Sequence, residues 1–332
     1  MNTICSIVIP AYNAEKTLSR TLSSIKIEGE VEVIVVDDGS IDRTVEVAKS
    51  FPFVKVISKK NGGVSSARNV GIEESVGDYL FFFDADDILN SKVFNDSIRA
   101  IKRHYCDFFV CDYKTFDFVS QKESEIKCGI PYNTILGREY ITGNLLKRCF
   151  LNDCVGIACL MNKFFKRNIV LENKIFFDER RTHAEDFDFV VRFLDCCSNM
   201  IASSEYVFTY SLDGSQTPSK YKDKNLGAID LHNFLDELRK KYNYCDENSI
   251  EYFKFQSGFL NVILAYILQR KDSKKEIKTF LSNNTVKTAL TCISKLNRNQ
   301  LESISRCRRE KLAAYLIKKG WYNVGIRVGG FS

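Results

Sequence analysis

The stretch Tyr79-Leu80-Phe81-Phe82-Phe83 runs directly into Asp84-Ala85-Asp86-Asp87, and this junction decides the fold class. A short run of large apolar residues is typical of a strand that is buried on both faces of a parallel sheet. Carboxylates that follow such a strand lie at its carboxyl end, where open α/β sheets bind ligands. Three crowded acids repel each other unless a divalent cation such as Mg²⁺ or Mn²⁺ neutralises them. The alternative is an acidic turn that caps the next helix, where Asp is also favoured.

Strand and helix patterns alternate before this junction, which predicts a mostly parallel sheet with helices on its faces. The predicted strands are Cys5–Pro10, Val31–Val36 and Val54–Ser58, and the predicted helices are Ala14–Lys26, Arg43–Ser50 and Val64–Glu74. Polar clusters follow the strands at Tyr12-Asn13, Asp37-Asp38, Asn61-Gly62-Gly63 and Asp84 to Asp87. Because parallel strands end at one sheet edge, these clusters predict a shared active site.

The pattern continues more loosely to about residue 220 and then changes to a helical, polar and basic region. The predicted elements of the looser part are a helix over Ser91–His104, a strand over Asp107–Tyr113, a helix over Gly137–Arg148, a strand over Gly156–Met161, a helix from Glu185 to Leu194 and a strand over Tyr206–Ser211. We therefore expect an α/β domain over 1–219, with halves 1–113 and 114–219, and a helical extension over 220–332.

The composition is that of a folded protein in a reducing compartment. The chain has 332 residues, 45% hydrophobic residues and 12 cysteines, but no Cys-x-x-Cys pair and three histidines. A zinc site or a disulfide framework is not indicated, and no signal peptide is evident at Met1-Asn2-Thr3, so a cytoplasmic protein is predicted. The apolar stretch Gly258 to Leu268 is shorter than the roughly 20 residues that span a bilayer, and it predicts a buried helix.

Positive charge is concentrated between Arg270 and Lys319, where 14 Lys and Arg stand against 4 Asp and Glu. No interleaved aromatics or known motif accompany this charge, so a nucleic-acid partner is not predicted. A solvated helix face and an anionic membrane surface both fit it. Three roles stay open for the region: extending an acceptor groove, peripheral contact with the inner membrane, or formation of a homodimer.

Three related enzyme classes fit the sequence poorly. A dinucleotide site needs Gly-x-Gly-x-x-Gly after the first strand, where this chain has Pro10-Ala11-Tyr12-Asn13-Ala14-Glu15. An aspartyl-phosphate phosphatase would have Thr or Val at the position of Asp87. A nucleotidyltransferase would have a glycine-rich loop with a basic residue after the first strand, and that loop is missing.

Four blocks in order resemble family 2 glycosyltransferases with the GT-A fold. They are Ser6 to Asn13, Val35-Val36-Asp37-Asp38-Gly39-Ser40-Ile41-Asp42, Asn61-Gly62-Gly63 through Ala67-Arg68-Asn69, and Asp84 to Asp87. Later segments look like the acceptor half of bacterial members that build capsule, exopolysaccharide or lipopolysaccharide: Leu160 to Arg167, Ala184 to Phe189, and Tyr210 to Ser215. The resemblance implies transfer of a sugar from a nucleotide-sugar to a hydroxyl group, with inversion.

The resemblance also implies roles for the strand-end residues. Asp38, helped by Asp37, would contact the base or ribose, and Arg68 would lie near the nucleotide. Asp86 would bind the metal, Mn²⁺ or Mg²⁺, that bridges the diphosphate. The remaining donor-site residues would be Pro10, Ala11 and Tyr12 at the base, Asp84 at the ribose or cation shell, and Ala85 and Asp87 near the donor sugar. A strand-to-helix turn and a surface salt bridge are the alternative interpretations of Asp37-Asp38 and Arg68.

Asp186 matches the catalytic base of the family, and neighbouring Glu185 would raise its proton affinity by repulsion. A helix cap is the alternative interpretation of Asp186, and His183 is a second candidate base. The expected function is metal-assisted inverting transfer, with a UDP-sugar as the favoured donor and a surface glycan or lipid-linked acceptor at the inner membrane. The alternative is a catalytically silent protein of the same fold that binds a nucleotide-sugar or a partner.

Overall fold

The computed structural model describes residues 3–151, 156–157, 159–181, 184–212, 225–247, 249–256, 259 and 282–295. It divides into two compact units, the first formed by Met1–Leu146 and Cys154–Lys222, the second by Lys147–Asp153 and Asp223–Ser332. The predicted boundary near residue 220 falls among residues 213–224, which lie outside the described residues. The domain division therefore stays a prediction.

The first unit contains one sheet with helices on both faces. Its strands are β1 (Cys5–Ala11), β2 (Val31–Asp37), β3 (Val54–Ser58), β4 (Tyr79–Phe82), β5 (Ile88–Leu89), β6 (Phe108–Asp117), β7 (Lys122–Ile126), β8 (Leu136–Gly137), β9 (Lys163–Lys166) and β10 (Asn199–Leu212). Its helices are α1 (Leu18–Ser24), α2 (Thr44–Lys49), α3 (Val64–Glu74), α4 (Ser91–His104), α5 (Arg138–Tyr140) with the π-helix Ile141–Leu146, then α7 (Arg167–Glu172) and α8 (Glu185–Cys196); α6 (Lys147–Phe150) belongs to the second unit.

The strand order along the sheet is β3-β2-β1-β4-β9-β6-β10-β5, with β7 on β6 and β8 on β10. Strands β1 to β4 pair in parallel, as do β6 and β10, whereas β9 runs antiparallel to β4 and β6. The predicted α/β class with a mostly parallel central sheet is confirmed. The parallel arrangement brings the ends of β1, β2 and β4 to one edge.

Successive phenylalanines of β4 pack on opposite faces of the sheet, because strand side chains alternate. The Phe81 ring centroid lies 5.1 Å from that of Phe94 on α4, and Phe82 lies 5.4 Å from Phe189 on α8. Both β4 rings are fully buried. This two-sided burial explains why the run before the acidic turn is apolar throughout.

The strand predicted over Gly156–Met161 is wrong, since the strand in this part of the chain is β9 at Lys163–Lys166. The buried pair Phe164 and Phe165 enters the sheet instead, with Phe164 opposite both Phe81 and Phe109. Gly156 has φ of +80° and begins a turn. Apolar character alone did not distinguish these turns, which bury Leu160 and Met161, from a strand.

Other elements also differ in extent from the prediction, and β10 begins at Asn199 rather than Tyr206. Helix α1 begins at Leu18 rather than Ala14, because 14–17 form a turn in which Thr17 donates its backbone N–H to the carbonyl of Ala14. The polar stretch from Thr115 to Cys128 includes the antiparallel hairpin of β6 and β7. The largely exposed strand β7 has no apolar pattern by which the sequence could predict it.

The second unit is helical where it is described. Besides α6 it contains α9 (Asn225–Tyr242), helical residues at 250–256 and a helix over Asn284–Lys295. His232 stacks on Phe255 and Phe259, with ring centroids 4.1 Å apart in each pair. Of the predicted buried helix Gly258–Leu268, only Phe259 is described, and it is buried. In the described part of the chain, no helix has the length and apolar character needed to cross a membrane.

Replacing Gly71 by alanine is expected to destabilise the fold by about 1–3 kcal/mol. Gly71 lies where α3 packs on β1, and an added Cβ would come within 2.2 Å of Val8 Cγ1. Urea unfolding of the two proteins measures the difference. Glu73→Ala, on the exposed face of the same helix, is the control and should change stability by no more than about 0.5 kcal/mol. Equal stability of both variants would contradict this close packing.

Candidate active site

The polar residues that follow β1, β2 and β4 lie along the carboxyl edge of the sheet, as predicted. The Asp38 N–H donates to the carbonyl of Ala11 at 2.8 Å, and the Phe83 N–H donates to the carbonyl of Val8 at 2.9 Å. These bonds continue the strand pairing up to the first residues of each loop. The loops after β1, β2 and β4 therefore begin side by side.

The acidic turn Asp84 to Asp87 is anchored at two points. Arg20 on α1 donates from Nη2 to the backbone carbonyl of Asp86 at 2.7 Å, and the Ser211 N–H on β10 donates to Asp87 Oδ1 at 2.9 Å. Asp87 is fully buried, and its Oδ2 accepts no hydrogen bond. Burial, and then the charge of Asp84, raises the pKa of Asp87 to about 9. Asp84, Ala85 and Asp86 are partly exposed.

Arg68 on α3 connects this turn to the start of α8. Its guanidinium is buried and donates from Nη1 to Asp186 Oδ1 at 2.7 Å and from Nη2 to Asp84 Oδ1 at 3.1 Å. Glu185 Oε1 lies 3.9 Å from Nη1, and the guanidinium carbon lies 5.3 Å from the centre of the Phe177 ring. Burial disfavours this charge, but the carboxylates outweigh it and raise the pKa of Arg68. Arg68 therefore holds the acidic turn near Asp186, which follows Arg68 by 118 residues in the chain.

Asp186 lies in the first turn of α8 but does not cap the helix. Ala184 precedes the helix with φ of +58°, and no side chain makes a capping hydrogen bond there. Burial raises the pKa of Asp186 to about 6, against the opposing effect of Arg68 and with smaller contributions from Glu185 and Asp84. Above this pH Asp186 is a carboxylate that can accept a proton. The predicted repulsion by Glu185 is present, but burial is the larger cause.

The predicted donor-site residues at the ends of β1 and β2 differ in exposure. Pro10 and Ala11 are buried in β1, whereas Tyr12 is 48% exposed. Asp37 is buried and accepts from the Ser40 N–H at 3.1 Å. Both oxygens of Asp38 accept from the loop before α3, namely from Lys59 Nζ, the Gly62 N–H and the Gly63 N–H at 2.7, 2.9 and 2.7 Å. Asp38 thus fixes the glycine loop, and its contact with a base or ribose stays a prediction.

Several residues near the acidic turn were not singled out from the sequence. Arg20 reaches it from α1, and burial with the charge of Asp84 raises the pKa of Tyr210 to about 12. Burial raises the pKa of the Cys159 thiol to about 11, and the charge of Lys163 opposes this shift. The sequence held no signal for these side chains, because a lone arginine, tyrosine or cysteine carries no spacing pattern. His183 lies outside the described residues, as do Asp213-Gly214-Ser215.

The acidic turn fits a hard divalent cation that takes few protein ligands. Mg²⁺ is usually held by one or two carboxylates, with phosphate oxygens and water completing its shell. Asp84 and Asp86 offer such oxygens, and both are partly exposed. Among the described residues, no group of three or more His, Cys, Asp or Glu side chains could hold a metal by itself. A cation here would therefore depend on the substrate for part of its coordination.

The family model "Glycosyl transferase family 2" matches residues 6–170, a range that contains both the acidic turn and Arg68. The chain belongs to this family. An uncharacterised glycosyltransferase of Haemophilus influenzae is 29% identical over 234 residues, which cover 66% of this chain and 68% of that protein. The TarS poly(ribitol-phosphate) beta-N-acetylglucosaminyltransferase of Staphylococcus aureus is 24% identical over 227 residues, which cover 65% of this chain and 37% of TarS.

The fold of this glycosyltransferase is that of TarS. The crystal structure of TarS 1–349 in complex with UDP-GlcNAc superposes with a TM-score of 0.62 and 18% sequence identity. The superposition covers 98% of this chain and 90% of the TarS chain. The predicted GT-A fold and the predicted glycosyltransferase class are confirmed. The roles of the individual site residues stay predictions.

Proposed function

We propose that the enzyme transfers a sugar from a UDP-sugar to a hydroxyl group with inversion, and that Asp186 is the general base. One observation carries the proposal: buried Arg68 joins Asp186 to Asp84 through bonds of 2.7 and 3.1 Å. The predicted base and the predicted metal-binding turn are thus held at one place. An inverting transfer needs this proximity, because deprotonation of the acceptor and departure of the diphosphate occur in one step.

In this mechanism, the aspartates and Arg68 act through their charges. Asp186 accepts the proton of the acceptor hydroxyl, for which it must be ionised. Arg68 orients the Asp186 carboxylate and balances part of the negative charge that accumulates between Asp84, Glu185 and Asp186. Asp86, with Asp84 close by, would hold Mn²⁺ or Mg²⁺, which supplies electrostatic stabilisation of the departing diphosphate. Tyr12 is the exposed side chain at the edge of β1 and is available to a nucleobase.

The donor that we propose is based on the ligands and the name of TarS. One TarS structure is a complex with UDP and another is a complex with UDP-GlcNAc, and TarS is named as a poly(ribitol-phosphate) beta-N-acetylglucosaminyltransferase. A UDP-linked hexose or N-acetylhexosamine is therefore the donor that we propose. For the acceptor we propose a hydroxyl of a growing surface glycan or of a lipid-linked precursor. Contact with the inner membrane, a cytoplasmic site of action and a homodimer stay predictions.

Asp86→Ala is expected to lower kcat/KM for UDP release by about 100-fold or more, because the charge of the leaving diphosphate would lose its stabilisation. The assay measures UDP release from UDP-GlcNAc, UDP-glucose and UDP-galactose with Mn²⁺ or Mg²⁺, with water as the surrogate acceptor. Calorimetry of UDP binding, with and without Mn²⁺, gives a second readout that does not need turnover. Mn²⁺ should tighten UDP binding to the parent enzyme more than to the variant.

Asp96→Ala is the matched control for this experiment. Asp96 is exposed on α4, where it pairs with Arg99 on the surface. Its removal should leave turnover and UDP affinity unchanged. Parental activity of Asp86→Ala would remove Asp86 from the metal site. UDP binding without turnover of any nucleotide-sugar would favour the silent binding protein instead.

A further inference from the structure

Arg20 on α1 is an exposed arginine that contacts two other segments of the first unit. Its Nη2 donates to the backbone carbonyl of Asp86 at 2.7 Å, and its guanidinium carbon lies 5.4 Å from the centre of the Phe118 ring. Phe118 lies at the tip of the β6–β7 hairpin, where its ring packs edge-on against Phe116 with centroids 4.9 Å apart. Ordering a long surface side chain costs rotamer entropy, so these two contacts have to stabilise the observed conformation of Arg20.

The bond from Arg20 falls on the centre of the acidic turn. The Asp87 N–H donates to the carbonyl of Asp84 at 3.4 Å, which closes the turn around Asp86. This closing bond is longer than the usual N–H···O distance of about 2.7–3.2 Å, so it holds the turn weakly. The two ends of the turn are bonded from α3 and from β10. Arg20 holds the centre, at the residue that is predicted to bind the metal.

Because this bond is made to the main chain of Asp86, its positional effect can be separated from the effect of charge. Arg20 donates to a neutral carbonyl oxygen and does not occupy the carboxylate oxygens that a cation would take. A guanidinium this close to the turn repels a divalent cation, so its charge alone would weaken a metal site. A favourable effect of Arg20 on metal binding must therefore come from the fixed position of the Asp86 main chain.

We propose that Arg20 is a positioning residue for the divalent cation, which fixes the main chain of Asp86 while the Phe118 ring holds its guanidinium in place. The inference rests on the proposed function, since it needs Asp86 to hold the cation at the diphosphate. Phe118 comes from the predicted acceptor half of the domain, and Asp86 from the nucleotide-sugar half. A hairpin of one half thus supports the acidic turn of the other, with Arg20 between them.

The test measures UDP binding by calorimetry, with and without Mn²⁺, for the parent enzyme, Arg20→Met, Arg20→Lys and Phe118→Leu. Methionine keeps an apolar stem but has no donor, so the tightening of UDP binding by Mn²⁺ should fall by about 10-fold, as for one lost charge-assisted hydrogen bond. Lysine keeps the charge and can donate to the carbonyl, so Arg20→Lys should lie between Arg20→Met and the parent. Phe118→Leu should lose about 2–5-fold, the effect of an exposed cation–π contact. UDP affinity without Mn²⁺ should stay at the parental value in all three variants.

Arg99→Met is the matched control for these variants. Arg99 is another exposed arginine, on α4, where it pairs with Glu28 and Asp96. Its replacement should change UDP binding neither with nor without Mn²⁺. Because Arg20 is exposed, the urea unfolding midpoint of Arg20→Met should also stay at the parental value. An effect of Arg20→Met on Mn²⁺ at an unchanged midpoint separates positioning of the turn from a general contribution to stability.

An effect of Mn²⁺ on Arg20→Met that equals or exceeds its effect on the parent enzyme would overturn the proposal, because loss of charge alone predicts that result. A loss of UDP affinity that is the same with and without Mn²⁺ would also overturn it, since Arg20 would then bind the diphosphate directly. A loss that only follows a lowered unfolding midpoint would leave Arg20 a structural role alone. If Mn²⁺ does not change UDP binding to the parent enzyme, the metal in the proposed function is wrong, and this inference is wrong with it.

Discussion

Replacing Asp186 by asparagine is expected to lower kcat by about 10²–10⁴-fold, the usual contribution of a general base. Asparagine keeps the size of the side chain but cannot take the proton of the acceptor hydroxyl. UDP affinity, measured by calorimetry, should stay close to that of the parent enzyme because the donor site is unchanged. The residual activity of the variant should also lose the acidic limb near pH 6.

The same variant should not be less stable than the parent enzyme. The pKa of Asp186 is raised in the fold to about 6, so at neutral pH the ionised carboxyl opposes folding. A neutral amide removes this cost, although Arg68 loses one charged partner. Asp96→Asn, on the surface of α4, is the control for both measurements. A variant that loses activity only in proportion to a lowered melting temperature would contradict the catalytic role of Asp186.

Replacing Arg68 by methionine is expected to lower stability by about 3–5 kcal/mol, as is usual when one partner of a buried ion pair is removed. The carboxylates of Asp84, Glu185 and Asp186 would then face one another without the guanidinium. The pKa of Asp186 should rise further, so activity at neutral pH should also fall. Urea unfolding and the pH profile of UDP release measure the two effects.

A double variant separates repulsion from lost packing. Arg68→Met with Asp186→Asn removes the cation and one of the three carboxylates together, so the two changes should be non-additive by about 0.5–3 kcal/mol. Arg68→Lys should fall between the parent and Arg68→Met, because a single ammonium cannot bridge two carboxylates as the guanidinium fork does. Strict additivity of the two changes would contradict the bridge.

The sequence predicted the first half of the fold better than the second half. Patterns such as Val31–Val36 and Val64–Glu74 match β2 and α3 closely, because buried strands and amphipathic helices alternate there with clear turn residues between them. After Tyr113 the sheet is completed by the short strands β7, β8 and β9, which pair antiparallel with their neighbours, and by β10, which runs parallel to β6. Their patterns are short and mixed, so β7 was missed and β9 was placed several residues too early.

The site was predictable where its residues follow strands, and less so where they come from helices. The position of Asp84 after β4 follows from local pattern, and the structure brings it together with Arg68 and Asp186. A contact such as that of Arg20 with the turn depends on which elements become neighbours in the fold. That information is not present in any local pattern of this chain.

The position of β9 has a consequence for engineering. β9 comes from residues 163–166 but lies between β4 and β6, which lie within the first 117 residues. A fragment that ends at residue 113 would cut β6 short and leave the edges of β4 and β6 that β9 covers unpaired, which is a liability for aggregation. Chimaeras that exchange acceptor halves between relatives should therefore carry β9 with its own β4 and β6, rather than join two pieces at a single crossover point.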